Sequence, residues 1–526
     1  MTEDFDRILV RTSRDALVVF AGNVISTLLL AVSAMIVARM LQPENYGIYS
    51  VSLTVTNVLT LFTDFGIDSA LVKYVSKFRA TGKEEIVREV IVKGLLLKLV
   101  IVTVASVINY VFAYQLSVIL TERPELSDYV KLTSILTFTI TLMNTTLAIL
   151  TALGRMKLRS FHVIVQSITK LLLSPLLVII GLSVLGALLG HVISYTVTCV
   201  IGVTIVLRYV RSLGRREEIV SVLDLIRFGL PLYVSGLLGA VLYRFQYVLL
   251  ARVATNVELG NIQAANQFVT LVALTITPFT VTLFPVFSAL ETRGNRNELR
   301  DFLNNVLRYM TIFTVQVAAM IGAFSMDVVR LIYGRTYVTA PHYLTLMSLG
   351  YLYTPFTASL SALYSGLGRT KDLMNASIIQ FAVILPVSYA LINYLGPTGY
   401  SIVLSISSLP ALTYQLSVLK RLNMSVEWKP LTLVYVASLI SVALPLLIHT
   451  VISNYVVRLL IELPVAIGTY MIVLTFTGGF TRGDCEFLSR SFATLPLIGW
   501  VMNLLLTMED KLLNLRDRLS RGRRRV

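Results

Sequence analysis

The sequence predicts an all-α polytopic membrane protein of about fourteen transmembrane helices, two pseudo-symmetric six-helix lobes plus two C-terminal helices. Three observations predict it. The 526 residues are 56% hydrophobic and 14% charged, where soluble domains carry about 25% charge, and the mean hydropathy is +0.77. Apolar windows of about 20 residues, the length a bilayer requires, recur along nearly the whole chain. Short sequence matches recur at one common spacing, as in a duplicated bundle.

Residues 1–15 are polar and read as a cytoplasmic N-terminal segment. The first apolar run, 16–38, exceeds the roughly 7–15 residues of a signal-peptide core and ends at Arg39 without a small-residue cleavage pattern, so it stays as a helix. Further spans are predicted at 46–65, 90–113, 130–153, 160–181 and 184–207, the last two parted by a tight turn at Gly181 to Ser183. These make an N-lobe over 16–207. Arg208, Arg211, Arg215, Arg216, Glu217, Glu218 and Asp224 mark a cytoplasmic linker at 208–225. A C-lobe over 226–420 follows, with spans at 226–250, 262–289, 303–325, 342–366, 373–394 and 398–419. Two extra helices, near 431–452 and 457–477, occupy 421–480. In the last segment, 481–526, Trp500, Leu504 and Leu505 alternate with Lys511, Arg516 and Arg518 before Arg523 to Arg525, the pattern of a basic interfacial and cytoplasmic tail.

The net charge of +16 reports orientation here and not nucleic-acid binding. With the N-terminus inside, the inner loops hold Lys73, Lys77, Arg79 and Lys83, then Arg155, Lys157 and Arg159, Arg293, Arg296 and Arg300, and Lys420 and Arg421. The outer loops are nearly bare, and the connection holding Glu122, Arg123, Glu125 and Asp128 is net acidic. An even number of spans places both termini in the cytoplasm of a multi-pass protein of the cell membrane. Cys199 and Cys485 suit neither a disulfide framework nor a metal knot.

The repeat divides the chain. Ala38-Arg39 and Gly47 align without a gap on Ala251-Arg252 and Gly260, roughly 213 positions on, and Leu153-Gly154-Arg155-Met156-Lys157 aligns on Leu367-Gly368-Arg369-Thr370-Lys371 at nearly the same shift. An even number of helices per copy gives both the same topology, related by an axis along the membrane normal with a cleft between them.

Catalytic templates are missing from the sequence. His162, His191, His342 and His449 are scattered without ligand spacing, and no zincin, nucleophile-elbow or P-loop motif occurs. No metal or cofactor is expected. A membrane glycan polymerase or glycosyltransferase would need acidic groups at its outer face, where only Glu122, Glu125 and Asp128 are offered, in a setting typical of a turn and helix cap.

The informative residues are cations inside spans. Arg244 lies about 12 Å below Arg252 along the seventh span; Lys170 is near the middle of the fifth, and Lys98 a turn or two inside the third. Charges at this depth face water, a partner or a ligand. Acidic residues at depth are scarce, Asp64 and Asp68 belonging to the inner end of the second span and Glu462 to the fourteenth, so cations without matching carboxylates suggest an anionic ligand. His162, Gln166, Lys170 and Ser174 recur every four residues, a stripe suited to lining a cavity. Asn23, Tyr243, Gln246 and Tyr247 supply donors and aromatic faces for sugars. Arg39 and Arg252, repeat-related at helix ends, are interfacial anchors or a candidate gate. Helix–helix packing and snorkelling are the alternative roles for all of these.

The segment from Ala38-Arg39-Met40-Leu41-Gln42-Pro43-Glu44-Asn45-Tyr46-Gly47, followed by Asp64-Phe65-Gly66-Ile67-Asp68-Ser69-Ala70-Leu71-Val72-Lys73-Tyr74, resembles the amino-terminal signature of polysaccharide flippases. Phe228-Gly229-Leu230-Pro231 and Leu367-Gly368-Arg369 also resemble that family, which belongs to the multidrug, oligosaccharidyl-lipid and polysaccharide exporter superfamily. The resemblance implies two six-helix lobes around a central cavity and alternating access that carries an anionic lipid-linked oligosaccharide, joined through phosphate or pyrophosphate, to the external leaflet. Its implied partners are that glycolipid, membrane lipids and glycosyltransferases. Arg244 and Lys170 fit the family's tendency towards basic cavity residues. Two other branches, the peptidoglycan-precursor flippases and the multidrug antiporters, share the fold; the antiporters use lobe carboxylates that the cores of the first and seventh spans lack.

Overall fold

A computed structural model describes residues 2–214, 222–273, 276–292, 294–447, 452–480, 484–485, 506–514 and 516. Arg215 to Glu218 of the linker, Arg293, and most of the 481–526 tail, including Trp500, Arg518 and Arg523 to Arg525, lie outside the described residues.

Every regular element among them is helical. In chain order these are α1 (Thr2–Leu59), α2 (Ile67–Ala80), α3 (Glu84–Val111), α4 (Ala113–Thr121), α5 (Ser127–Ala152), α6 (Met156–Leu177) and α7 (Ser183–Arg211). After the linker come α8 (Val222–Val253), α9 (Asn256–Ala273), α10 (Thr277–Thr292), α11 (Arg296–Ala323), α12 (Ser325–Tyr333), α13 (Ala340–Leu349), α14 (Thr354–Gly366), α15 (Thr370–Ile406), α16 (Leu409–Arg421), α17 (Trp428–Leu446) and α18 (Tyr455–Thr477).

Among the described residues nine helical stretches are long and apolar enough to cross a bilayer, and three of them run for 45, 56 and 52 residues. At 1.5 Å per residue those would reach about 68–84 Å, more than twice the hydrocarbon thickness, so each must break. The first breaks at Gln42 (φ 62°), which precedes Pro43; proline drives its predecessor out of the helical region. The second breaks where the turn was expected, at Gly181 (φ 100°) and Ser183 (φ 45°). The third breaks at Gly396 (φ 55°), before Pro397, and the returning strand of helix packs so closely that a Cβ on Gly399 would stand 1.9 Å from the Leu391 carbonyl oxygen.

Three expected single spans are broken within their length. The run 262–289 is divided between α9 and α10, 342–366 between α13 and α14, and 398–419 between α15 and α16. In the second case Pro355 opens α14 and Tyr353 leaves the helical path.

The chain forms two compact units. The first comprises Met1–Leu271, Ile332–Tyr343 and Ser377–Ser407. Its core draws Ile67 and Leu71 of α2, Val87 and Ile91 of α3, Ile149 of α5, Val206 of α7 and Leu225 of α8 together. Within it α1 lies along α6, with Gly22 backed by Ser160, and Ser26 hydrogen-bonded to Ser167 and to the Val163 carbonyl. The second unit comprises Val272–Leu331, Leu344–Ala376 and Ser408–Val526. Its core is built on Leu303, Leu307 and Met310 of α11, Leu360 and Leu363 of α14, and Leu419 of α16. It also buries Arg458 of α18, which pairs with Asp327 of α12 and lies 3.9 Å from Glu462 one turn on. A cavity of about 270 Å³ lies beside α11 and α18, lined by Phe313, Met320, Met471, Leu474 and Leu506 with Gln316 and Glu509; it contains none of the predicted site residues.

Candidate functional site

The three predicted cations meet different surroundings. Lys98 is the clearest correction. It lies about two turns past residue 90, where the third span is expected to begin, and it is fully buried. Its Nζ lies 2.5 Å from Asp64 Oδ1 and 3.3 Å from Asp68 Oδ1, and it donates to the Thr63 carbonyl at 3.2 Å. Thr145 of α5 donates to Asp68 Oδ1 at 2.8 Å. The scarcity of acidic partners at depth therefore does not hold for Lys98. The two carboxylates recur at i and i+4, enter from the start of α2, and neutralise a charge that the helix alone would bury unpaired. This is a structural knot joining α2, α3 and α5, in which the Lys98 ammonium itself is enclosed.

The stripe on α6 is corrected in part. His162, Gln166 and Ser174 are buried in the seam with α7. A Cβ on Gly202 would stand 2.4 Å from His162 Cε1, and one on Gly190 2.5 Å from Ser174 Cα. Small residues on α7 thus let polar side chains of α6 sink between the helices. His162 Nε2 lies 3.4 Å from Thr146 Oγ1, and Gln166 Nε2 and His162 Nδ1 find no hydrogen-bond partner among the described residues. Gln166 is therefore a buried residue, 3% exposed.

Lys170 differs from its stripe. It is half-buried, and among the described residues no carboxylate pairs with it. Its ammonium lies in electrostatic range of His191 on α7, whose ring is held by Tyr49 Oη at 2.8 Å and stacked on Tyr195 at 5.3 Å. Its backbone carbonyl accepts from Ser33 of α1 at 3.3 Å.

Arg244 on α8 is also half-buried and has no carboxylate partner among the described residues. Its guanidinium lies 5.6 Å from the Tyr243 ring centroid, with Tyr247 and Tyr400 also in electrostatic range. Tyr243 is 42% exposed and presents an aromatic face beside the cation. Gln246 and Tyr247 do not: Gln246 donates to Ser388 Oγ at 3.0 Å, and Tyr247 donates to Ser50 Oγ at 3.0 Å and meets Tyr400 edge-on at 6.2 Å. Those two fasten α8 to α15 and α1 and fix the register in which Arg244 is displayed.

Asn23 of α1 is exposed, and its Oδ1 accepts from Arg159 Nη1 at 3.4 Å. Arg159 is the residue that sequence reasoning missed, having been read only as a loop charge. It belongs to α6, is half-buried, and has no carboxylate partner among the described residues. It lies three helical turns, about 16 Å, from Lys170 on the same face. That spacing was the available signal. Arg39 is exposed and donates to the Ile332 carbonyl at 3.4 Å. Arg252 donates to the Ile119 carbonyl and lies 3.8 Å from Glu122 Oε1.

Lys170, Arg244 and Arg159, with Asn23 and Tyr243, thus form the chemically open set within the first unit: basic side chains without carboxylate partners among the described residues, a sugar-compatible aromatic face and an amide. Ion-pair and hydrogen-bond chemistry with an anionic, hydroxyl-rich ligand is what such groups can do. Among the described residues no His, Cys, Asp and Glu cluster could hold a metal.

Comparison with known proteins agrees with this architecture. The chain is similar in fold to a structure described as lipid II flippase MurJ in an inward closed conformation, with TM-score 0.73, 16% identity, and coverage of 87% of this chain and 98% of that one. It is similar to an inward-facing multidrug resistance MATE family transporter of the MOP superfamily, with TM-score 0.65, 18% identity and coverage of 78% and 98%. It is also similar to a MOP superfamily transporter from Pyrococcus furiosus described by the reverse polarity of its binding pocket, with TM-score 0.57, 18% identity and coverage of 78% and 95%. No curated relative matches the sequence. The family model described as polysaccharide biosynthesis protein matches residues 13–291. This multi-pass membrane protein, with the helical fold of MOP superfamily transporters and flippases, belongs to the polysaccharide biosynthesis protein family.

Proposed function

We propose that the protein moves an anionic lipid-linked oligosaccharide, joined through phosphate or pyrophosphate, from the cytoplasmic to the external leaflet of the cell membrane. The observation that carries this reading is the pair Lys170 and Arg244, charges at membrane depth with no carboxylate partner among the described residues. An uncompensated cation in that environment is costly, and a phosphate visiting it offsets the cost. Arg159, bonded to Asn23 and three turns from Lys170 on one face, gives the same headgroup an earlier contact. Tyr243 offers its ring to the sugars.

The mechanism inferred with this reading is alternating access. The lobes, 16–207 and 226–420 about a linker at 208–225, rock about their common axis while the lipid tail remains in the bilayer. The added helices within 421–480 and the basic tail at 481–526 accompany the second lobe, with both termini cytoplasmic and glycosyltransferases supplying the glycolipid. A peptidoglycan-precursor flippase is the second reading, favoured by the similarity to a structure described as a lipid II flippase.

Purified full-length protein in liposomes tests the proposal. Labelled phosphate-linked oligosaccharide lipid should cross the bilayer without changing in length, and faster than a lipid II analogue. Lengthening of the glycan would indicate a polymerase, faster movement of lipid II would favour the second reading, and movement of neither would defeat both.

A further inference from the structure

The sequence repeat has a counterpart in contacts that the transport site does not use. Arg39 and Arg252 are repeat mates, and Ile119 and Ile332 stand in the same relation. Arg39 donates to the Ile332 carbonyl, and Arg252 to the Ile119 carbonyl. Each arginine therefore reaches across to the other copy, and the two bonds are images of one another. Pro43 and Asn256 are also mates, as are Gly47 and Gly260. A Cβ on Gly47 would stand 1.8 Å from the Asn256 carbonyl oxygen, and a Cβ on Gly260 would stand 1.9 Å from the Pro43 carbonyl oxygen. The first turn after the α1 break and the first turn of α9 each rest on the glycine one turn inside the other helix. All of these residues belong to the first unit.

The contact is backbone against backbone, so no side chain can turn aside to admit a methyl group. Neither glycine has a positive φ, and alanine is the better helix former at an ordinary helical position. The glycines are therefore required for the approach of the two helices and not for the local conformation. Five further bonds reinforce the same end. Arg123 donates to the Ala251 and Ala254 carbonyls and to Asn256 Oδ1, capping α8 and holding the start of α9. Tyr337 donates to the Ala38 carbonyl at 2.5 Å, and Asn261 Oδ1 accepts from the Ala340 amide at 2.9 Å.

We propose that the reciprocal Gly47–Asn256 and Gly260–Pro43 contacts, with the paired arginine–carbonyl bonds, form a pseudo-twofold latch that holds the Arg39 end of the two repeats closed and must part in each transport cycle. The cycle itself rests on the transport reading above; the closure does not. Twofold symmetry makes the two halves equivalent, so loosening either one weakens the same closed state.

The test uses full-length protein in lipid nanodiscs, with Cys199→Ser and Cys485→Ser and spin labels at Glu44→Cys and Val257→Cys, two exposed repeat mates flanking the latch. The parent should show one short-distance population. Gly47→Ala and Gly260→Ala should each raise the ratio of long to short distances about tenfold, the expected scale of an overpacked contact. Gly468→Ala is the control, because a Cβ there meets nothing within 4 Å, and it should leave the distribution unchanged. Parent-like distances in both alanine variants would overturn the latch. If those variants fail to fold, the parent cysteine pair decides: joining it with a short reducible cross-linker should stop glycolipid movement and reduction should restore it, whereas full-rate movement while cross-linked would overturn the latch. A parent that moves no glycolipid before cross-linking would count against the transport reading and leave the distance measurement to decide the latch.

Discussion

Replacing Lys98 by methionine separates a structural charge from a ligand-binding one. The substitution keeps most of the aliphatic volume and removes the ammonium that faces Asp64 at 2.5 Å and Asp68 at 3.3 Å. Breaking a buried pair from one side costs about 3–5 kcal/mol, because the surviving charge is left in a poor solvent. The side chains of Asp64 and Asp68 are 33% and 21% exposed, so water can reach them and the loss should fall near the lower end, about 3 kcal/mol. Thermal unfolding of the detergent-solubilised protein reads this as a lowered midpoint. Adding Asp64→Asn and Asp68→Asn to Lys98→Met removes the stranded carboxylates and should recover a large part of the loss, while either Asn substitution alone on the parent should not stabilise it. A Lys98→Met protein that unfolds like the parent but no longer moves glycolipid would refute the structural assignment and return Lys98 to the ligand.

Lys170→Ala and Arg244→Ala should each lower glycolipid transport about tenfold or more with expression and unfolding midpoint preserved, since neither charge has a carboxylate partner to strand among the described residues; parent-level transport in both would remove them from the site. Arg159→Gln should raise the half-saturating glycolipid concentration more than it lowers maximal rate, as expected of an earlier contact, and an unchanged half-saturation would exclude that role. Burial pushes the Glu509 carboxyl up to about 7, against the opposing Thr475 hydroxyl and Arg516 guanidinium. Its folded pKa is above the ordinary 4.5, so its contribution to docking of the 506–514 helix is fully present below that value and is lost as pH rises towards about 7. Glu509→Gln should therefore stabilise the protein at pH 8 and change it little at pH 4.5, and an equal effect at both would contradict the burial argument. Positive charge on the carrier should make turnover sensitive to an imposed potential, each charge crossing the full field being worth about 2.3 kcal/mol per 100 mV; rates independent of potential would reject a charged reorientation step.

The helical membrane fold was legible because lipid imposes one requirement, a run of about 20 apolar residues, that composition alone reveals. Breaks were legible where a glycine turn interrupts the run, as at Gly181, and less so at Tyr353, where Pro355 opens the next helix inside a run whose overall composition still suits a single span. The site was harder. Depth along a helix identified Lys170 and Arg244 and, nearer the span end, Lys98, but partners come from elsewhere in the chain, and Asp64 and Asp68 reach Lys98 only once α2 and α3 have packed. Likewise the stripe through His162, Gln166 and Ser174 has the spacing of a cavity lining, and only the glycines of α7 decide that it is a seam. Arg458 and Asp327, far apart in sequence, form a buried pair that no local pattern announced.

The most direct measurement is the equilibrium binding of two matched glycolipids to the reconstituted protein, one joined to its sugar through phosphate and one through a neutral linkage. The phosphate-linked compound should bind at least about tenfold tighter to the parent, a difference of about 1.4 kcal/mol, and that preference should vanish in Lys170→Ala/Arg244→Ala. Equal affinity for the two compounds in the parent, or a preference that survives in the double variant, would contradict it.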